Sequence, residues 1–215
     1  MSTSRDRVRQ ALSHQGSDRI PVDFGATAVT GIHCRVVEAL RKHYGLSYKP
    51  VKIVDTFQML GEVDRDLADA MGVDCIGVGG TRDIFDHDTE CMHEQVTPWG
   101  QKVLVPIQLD LTQDKEGDVY VYAGGDKNYP PSAVMPNGCF FINAIERQQP
   151  IDEDKLDPMD NLEEFNSITD EELDAYKKKV NEASATGRAV VASFGGTALG
   201  DVAFVPGMGL KEPKG

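Results

Sequence analysis

The feature that most constrains this chain is a segment that runs from Ile20 to His33 and reads IPVDFGATAVTGIH. A short apolar run ends at Gly25, small residues follow, and the periodic pattern VVEALRKHYG begins just after the histidine. This order predicts a buried strand, a glycine-rich turn and a helix. A second segment, from Val190 to Ala203, repeats the chemistry as VVASFGGTALGDVA, so two strands are expected to end in similar loops.

Strand and helix patterns alternate along most of the chain, which predicts a parallel α/β fold. Thr3 or Ser4 is expected to begin one helix, and Thr169 with Glu172 forms the capping box of another. Strands are expected at 51–54, at 73–78 and from residue 190 onward. The carboxyl ends of parallel strands meet at one edge of a sheet, where ligand sites lie. The two loops are therefore predicted to share a site.

Residues 84–150 differ from this alternation. Lys102 to Leu111 and Asp118 to Tyr122 read as strands joined by a turn. We expect an antiparallel, β-rich insertion at 84–150 within one domain that spans 1–215.

The charge balance excludes some classes of partner. The chain has 22 basic and 35 acidic residues and a formal net charge of −13. Nucleic acids and anionic membranes bind clustered lysine and arginine, so neither is an expected partner. The four cysteines show no C-x-x-C spacing, and no apolar run reaches the roughly 18 residues of a membrane span. A cytoplasmic protein with reduced thiols is expected.

Eight residues are candidates for the site at the strand ends. Two are candidate catalytic residues and six are candidate substrate-binding residues: Asp23 and His33; Gly25, Thr27, Gln58, Gly195, Gly196 and Thr197. Three of them have a structural alternative. His33 either caps the following helix or points a polar group into the site. Asp23 either accepts hydrogen bonds from nearby amides or lines the pocket. Gln58 either completes a capping box with Asp55, at the start of a helix through Met71, or faces the site.

A polar cluster between Asp83 and His93 reads DIFDHDTECMH and resembles a metal site in composition. The spacing Cys91-x-His93 matches no common zinc motif. The favoured interpretation is a solvated loop, and no metal ligand is assigned.

Several segments together resemble the uroporphyrinogen decarboxylase-like family, and in particular its corrinoid-linked methyltransferases. They are DRIPVDFG, PVKIVDTFQMLGEVD, the GVD strand, NLEEF and FGGTALGD, within a resemblance that runs from about Arg5 to the last residue. The resemblance implies a (β/α)8 TIM barrel, of which this chain would be the amino-terminal portion. It also implies methyl transfer between a corrinoid protein and a thiol or small methyl donor, with zinc activating the thiol.

Two alternatives stay open beside the methyltransferase. Decarboxylases of the family carry Arg-Gln-Ala-Gly-Arg after the first strand to hold substrate carboxylates, where this chain has Asp23-Phe24-Gly25-Ala26-Thr27. Buried anions need cationic partners, so this difference counts against uroporphyrinogen decarboxylation. The other alternative is a non-catalytic half-barrel that binds a partner.

The resemblance also predicts how the chain behaves in isolation. The family's zinc ligands, a His-x-Cys pair and a later cysteine, are absent from these 215 residues. The chain alone is therefore expected to be inactive. A half-barrel leaves sheet edges unpaired, so self-association is expected. Thr27, His33 and Thr197 are expected to face one cavity.

Overall fold

The computed structural model describes residues 2–147, 152–155, 157, 159, 167–193 and 207–213. Their contacts divide the chain into two compact units. The first unit draws its residues from Met1–Asp55, Leu60–Gly80 and Thr169–Gly195, and the second from Thr56–Met59, Thr81–Ile168 and Gly196–Gly215. The architecture is mixed α/β, and the described strands form no closed barrel.

In chain order, the helices and strands are α1 (Ser4–Leu12), β1 (Ile32–His33), α2 (Cys34–His43), β2 (Val51–Asp55), β3 (Leu60–Gly61), α3 (Arg65–Met71), β4 (Cys75–Val78), β5 (Met92–Val96), β6 (Lys102–Pro106), β7 (Val119–Val121), β8 (Ala133–Met135), β9 (Asn143–Ala144), α4 (Asp170–Ala185) and β10 (Ala189–Ala192). Three short 3₁₀ turns lie at Ala28–Thr30, Ala123–Gly125 and Glu153–Lys155.

The first unit contains all four helices of the described chain and two small groups of strands. β1, β3 and β2 pair in that order and are antiparallel. β4 and β10 are parallel, with Val190 opposite Ile76, and α4 leads directly into β10. The parallel pair provides the strand ends around which the candidate site is built.

Local capping signals in the sequence are confirmed. The Thr3 hydroxyl accepts from the Asp6 amide while the Asp6 carboxylate accepts from Thr3, so α1 begins with a complete capping box. Thr169 and Glu172 form the same arrangement at α4. Gly72 ends α3 in the left-handed conformation that glycine adopts without strain.

Two predicted elements are wrong. Residues 20–24 form no strand: the Val22 carbonyl accepts from the Asp74 amide, but the Val22 amide donates to the Asp74 carboxylate instead of to a strand backbone. The third helix does not begin at Asp55. The chain first pairs as β3, and α3 starts only after Asp64, whose carboxylate accepts from the Leu67 amide.

The second unit is formed mainly by antiparallel strands. β5 pairs with β6, and β7, β8 and β9 form a three-stranded sheet. Its largest fully buried side chains include Phe85, Met59, Leu109, Met135 and Ile142. The unit contains the described part of the segment predicted as an insertion. The sequence predicted two strands in this segment, Lys102 to Leu111 and Asp118 to Tyr122, and it did not predict β5 or β8.

Within the described ranges, each helix is too short or too polar to span a lipid bilayer.

Candidate functional site

The first predicted loop is closed on itself by short polar contacts. The Asp23 carboxylate accepts from the Ala26 amide at 3.3 Å and from the Thr30 hydroxyl at 3.2 Å. The Gly25 amide donates to the Thr30 carbonyl at 2.8 Å, and the Thr27 amide donates to the Thr30 hydroxyl at 3.4 Å. Asp23, Gly25 and Thr27 are thus brought together in one turn. Asp23 accepts a hydrogen bond from a nearby amide, which is the structural role that the sequence left open beside a role in the pocket.

Gly25 holds this turn in a conformation that other residues rarely adopt, with φ at +85°. A Cβ at this position would also lie 2.9 Å from Val63 Cγ2. The glycine is therefore required both by the backbone and by the neighbouring side chain.

The loop packs directly on strand β4. A Cβ added to Gly77 would lie 1.9 Å from the Ala26 carbonyl oxygen, so the loop backbone occupies the space that a side chain would fill. Gly77 is the last residue but one of β4, and it pairs with Val191 of β10. The loop 23–30 therefore lies at the carboxyl end of the parallel pair, the end at which α/β proteins bind ligands.

The exposed side chains of this loop are apolar. Phe24 is 45% exposed and Val29 is 95% exposed. The sequence repeat treats Phe24 as equivalent to Phe194. Gly195, Gly196 and Thr197 of that second loop lie outside the described residues, so the predicted meeting of the two loops stays a prediction.

His33 caps helix α2. Its Nδ1 accepts from the Arg35 amide at 3.2 Å, and the Cys34 sulfur lies 3.9 Å from the same nitrogen. A histidine beside a cysteine is the pattern of an activated thiol. Cys34 is fully buried, however, and burial raises the pKa of its thiol to about 12. The thiol is therefore not a nucleophile at neutral pH.

Gln58 is an exposed residue of the second unit. It follows β2 directly and precedes β3, so it does not belong to the helix start that its spacing from Asp55 predicted.

The polar cluster after residue 80 has a buried centre, which the interpretation as a solvated loop did not anticipate. The Asp83 carboxylate accepts from the Thr56 hydroxyl at 2.6 Å and from the Phe85 and His87 amides, both at 2.9 Å. His87 is fully buried, with Nδ1 3.2 Å from Asp83 and Nε2 3.0 Å from the Tyr122 carbonyl. Burial raises the pKa of Asp83, but the bonds from His87 and Thr56 outweigh it and hold that pKa below its usual value.

These residues do not fit the zinc ion that the family resemblance implies. Within the described part of the chain, no group of three or more His, Cys, Asp or Glu side chains could hold a metal ion. Both ring nitrogens of His87 already face oxygen atoms, and the His93 Nε2 lies 2.9 Å from the Gln95 amide nitrogen. We therefore derive no chemical step through zinc.

The opposite end of the parallel pair contains a charged cluster that sequence reasoning missed. Asp74 is fully buried directly before β4, and its carboxylate accepts from Arg7 at 2.7 Å, from Arg19 at 2.6 Å and from the Val22 amide at 2.9 Å. Burial raises the pKa of Asp74, and the bonds from Val22 and the two arginines lower it below its ordinary value. The only sequence signal was an aspartate beside an apolar strand.

Comparisons with models of protein families, with curated proteins and with solved structures gave no match for this chain.

Proposed function

We propose that this chain is the amino-terminal portion of a (β/α)8 methyltransferase of the uroporphyrinogen decarboxylase-like superfamily. In this proposal the loop 23–30 forms part of the face that receives the methyl donor or the corrinoid. The observation that carries it is the packing of this loop on Gly77, at the carboxyl end of the parallel strands β4 and β10. The sequence resemblance suggests the reaction, and the position of the loop supports a role in ligand binding.

The composition of the loop favours a large, weakly charged ligand. It contains one carboxylate, Asp23, which is bonded within the loop, and its exposed side chains, Phe24, Ala28 and Val29, are apolar. No arginine or lysine lies in the segment 20–34. A substrate with many carboxylates would be left without cationic partners there, so the composition argues against decarboxylation of uroporphyrinogen.

The role proposed for the chain's own residues is binding and orientation. Gly77 lets the loop backbone approach β4 closely, and the Thr27 side chain is the polar group proposed to orient a ligand. His33 stays a candidate at the edge of this loop, where it also caps α2. The cytoplasmic location and the corrinoid-protein partner belong to the same proposal.

The test is a binding titration with methylcobalamin, in which binding is measured from changes in the visible spectrum of the corrinoid. We expect the chain to bind it and Thr27→Val to weaken binding about tenfold, the value of one lost hydrogen bond of average strength. Thr112→Val, at an exposed threonine of the second unit, is the matched control and should bind normally. Uroporphyrin is titrated in parallel. Failure to bind methylcobalamin, or preferential binding of uroporphyrin that Thr27→Val weakens, would overturn the proposal.

A further inference from the structure

A second site is suggested at the other end of the parallel strands. A cleft of about 630 Å³ lies among α1, α3 and the turn between α4 and β10. Thr186, Gly187 and Arg188 precede β10, so the cleft is at the amino end of the pair, away from the loop 23–30. Its volume is within the range of small-molecule pockets.

The cleft is lined by three arginines in a chain whose net charge is −13. Arg188 is buried, and its guanidinium is neutralised by Asp69, so it belongs to the framework. Arg5 and Arg9 are exposed and lie four residues apart on α1, which places them on one face of the helix.

Among the described residues, no carboxylate lies within ion-pair distance of either arginine, although hydrogen bonds from Thr3 and, to a smaller extent, both positive charges lower the pKa of Asp6. Arg5 donates to two backbone carbonyls, those of Ser184 at 2.8 Å and Arg188 at 3.4 Å. Within the described residues, the Arg9 guanidinium makes no hydrogen bond or ion pair. Asp6 also lines the cleft, but its carboxylate accepts from Thr3 in the capping box. Two positive charges therefore line the cleft without a direct ion pair among the described residues, and the Asp6 carboxylate offsets part of their charge.

We propose that this cleft binds the phosphate group of a small molecule through Arg5 and Arg9. A guanidinium presents several donors in a planar fork, which suits phosphate oxygens. A phosphate has enough charge and enough acceptor atoms to engage both arginines, whereas a single carboxylate engages one fork. This site is independent of the loop 23–30 and of the proposed methyl transfer.

The experiment is a calorimetric titration of the chain with inorganic phosphate and with pyrophosphate at constant ionic strength, with chloride and acetate as reference anions. We expect phosphate and pyrophosphate to bind more tightly than either reference anion. Arg9→Gln should weaken phosphate binding about tenfold, as the loss of one charge-assisted hydrogen-bonding group. Arg5→Gln together with Arg9→Gln should abolish it.

Arg9→Gln should leave the thermal stability unchanged, because Arg9 makes no structural bond. Lys115→Gln changes the net charge equally at an exposed turn of the second unit and should bind phosphate as the unmodified chain does. Phosphate binding no tighter than acetate, or equal binding by Arg9→Gln and Lys115→Gln, would overturn the inference.

Discussion

The two ends of the β4–β10 pair are built by different physical means. At the amino end, Asp74 is fully buried and bonded to the permanently charged Arg7 and Arg19. At the carboxyl end, the contact is between two stretches of backbone, at Gly77 and Ala26, and no buried charge is involved.

The difference separates framework from candidate site. The Asp74 cluster joins α1, the segment after α1 and β4, which are far apart in the sequence, so its loss should affect the whole first unit. The loop 23–30 is held by contacts within itself and by one close approach, so it should change locally. In (β/α)8 barrels, conserved residues at the amino ends of strands mostly serve stability and those at the carboxyl ends catalysis, which is the division expected between Asp74 and the loop 23–30.

The largest effect is expected for Asp74→Ala. The substitution leaves Arg7 and Arg19 without their buried partner, which typically costs about 3–5 kcal/mol of unfolding free energy. The single tryptophan, Trp99, lies in the second unit and does not report on the first. Amide hydrogen exchange of β4 and β10 under increasing urea is therefore the measurement.

The control is Asp18→Ala, which removes a more exposed partner of Arg7 and should cost at most about 1 kcal/mol. If the β4 amides are equally protected from hydrogen exchange in Asp74→Ala and Asp18→Ala, Asp74 does not have the framework role described.

Gly77→Ala tests the carboxyl end. The new methyl group would meet the Ala26 carbonyl, which is backbone and must move, so we expect a loss of about 1–3 kcal/mol. Gly79→Ala is the matched control, because a Cβ there meets no atom within 4 Å. Its effect should stay within about 0.5 kcal/mol. If both variants unfold at the same urea concentration, the loop does not pack on β4 as described.

Acidification should weaken the amino end selectively. The pKa of Asp74 is lower in the folded chain than in the unfolded chain, so folding is favoured above the unfolded pKa and this contribution is lost as pH falls through the folded value. The contribution of Asp74 to the free energy of unfolding should therefore be lost below about pH 4. The loss should be smaller than for Asp74→Ala, since a protonated carboxyl still accepts hydrogen bonds.

The measurement compares hydrogen exchange of β4 in the unmodified chain and in Asp74→Asn at several pH values. Asp74→Asn should lack the component of acid sensitivity that Asp74 contributes. An identical acid response of the two proteins would show that other carboxylates dominate.

The smallest effect is expected for Asp23→Ala. Its two bonds, at 3.2 and 3.3 Å, are long and half-exposed, so the cost should be about 1 kcal/mol and confined to the loop. Faster exchange of the Ala26 amide, with unchanged protection in β4, is the expected result. Asp23→Asn keeps one acceptor oxygen, so its Ala26 amide should exchange at a rate between those of the unmodified chain and Asp23→Ala. A global loss of protection would instead place Asp23 in the framework.

Signals that act between near neighbours in the chain were sufficient to predict much of the first unit. The Thr169–Glu172 capping box, the helix after His33 and the run into β4 were predicted, because capping and helical periodicity depend on residues three or four apart. The glycine-rich turn at 25–30 was also predicted, since the left-handed conformation at Gly25 favours glycine wherever the loop lies.

The candidate site could be predicted only in part. The sequence placed Asp23, Gly25 and Thr27 in one loop, but the strand predicted to precede that loop is absent and the loop instead packs on Gly77 of β4. The sequence left open whether His33 caps a helix or points into the site, and the structure shows that it caps α2.

Tertiary structure decided the features that depend on a distant partner. The segment 20–24 has the composition of a strand, yet the Val22 amide donates to the carboxylate of Asp74, 52 residues away, instead of to a strand backbone. Asp83 and His87 read as loop residues, yet Thr56 and the Tyr122 carbonyl bond to them from elsewhere in the chain. Polar groups can be buried only when other groups satisfy their hydrogen bonds, and those groups are brought near only by the fold.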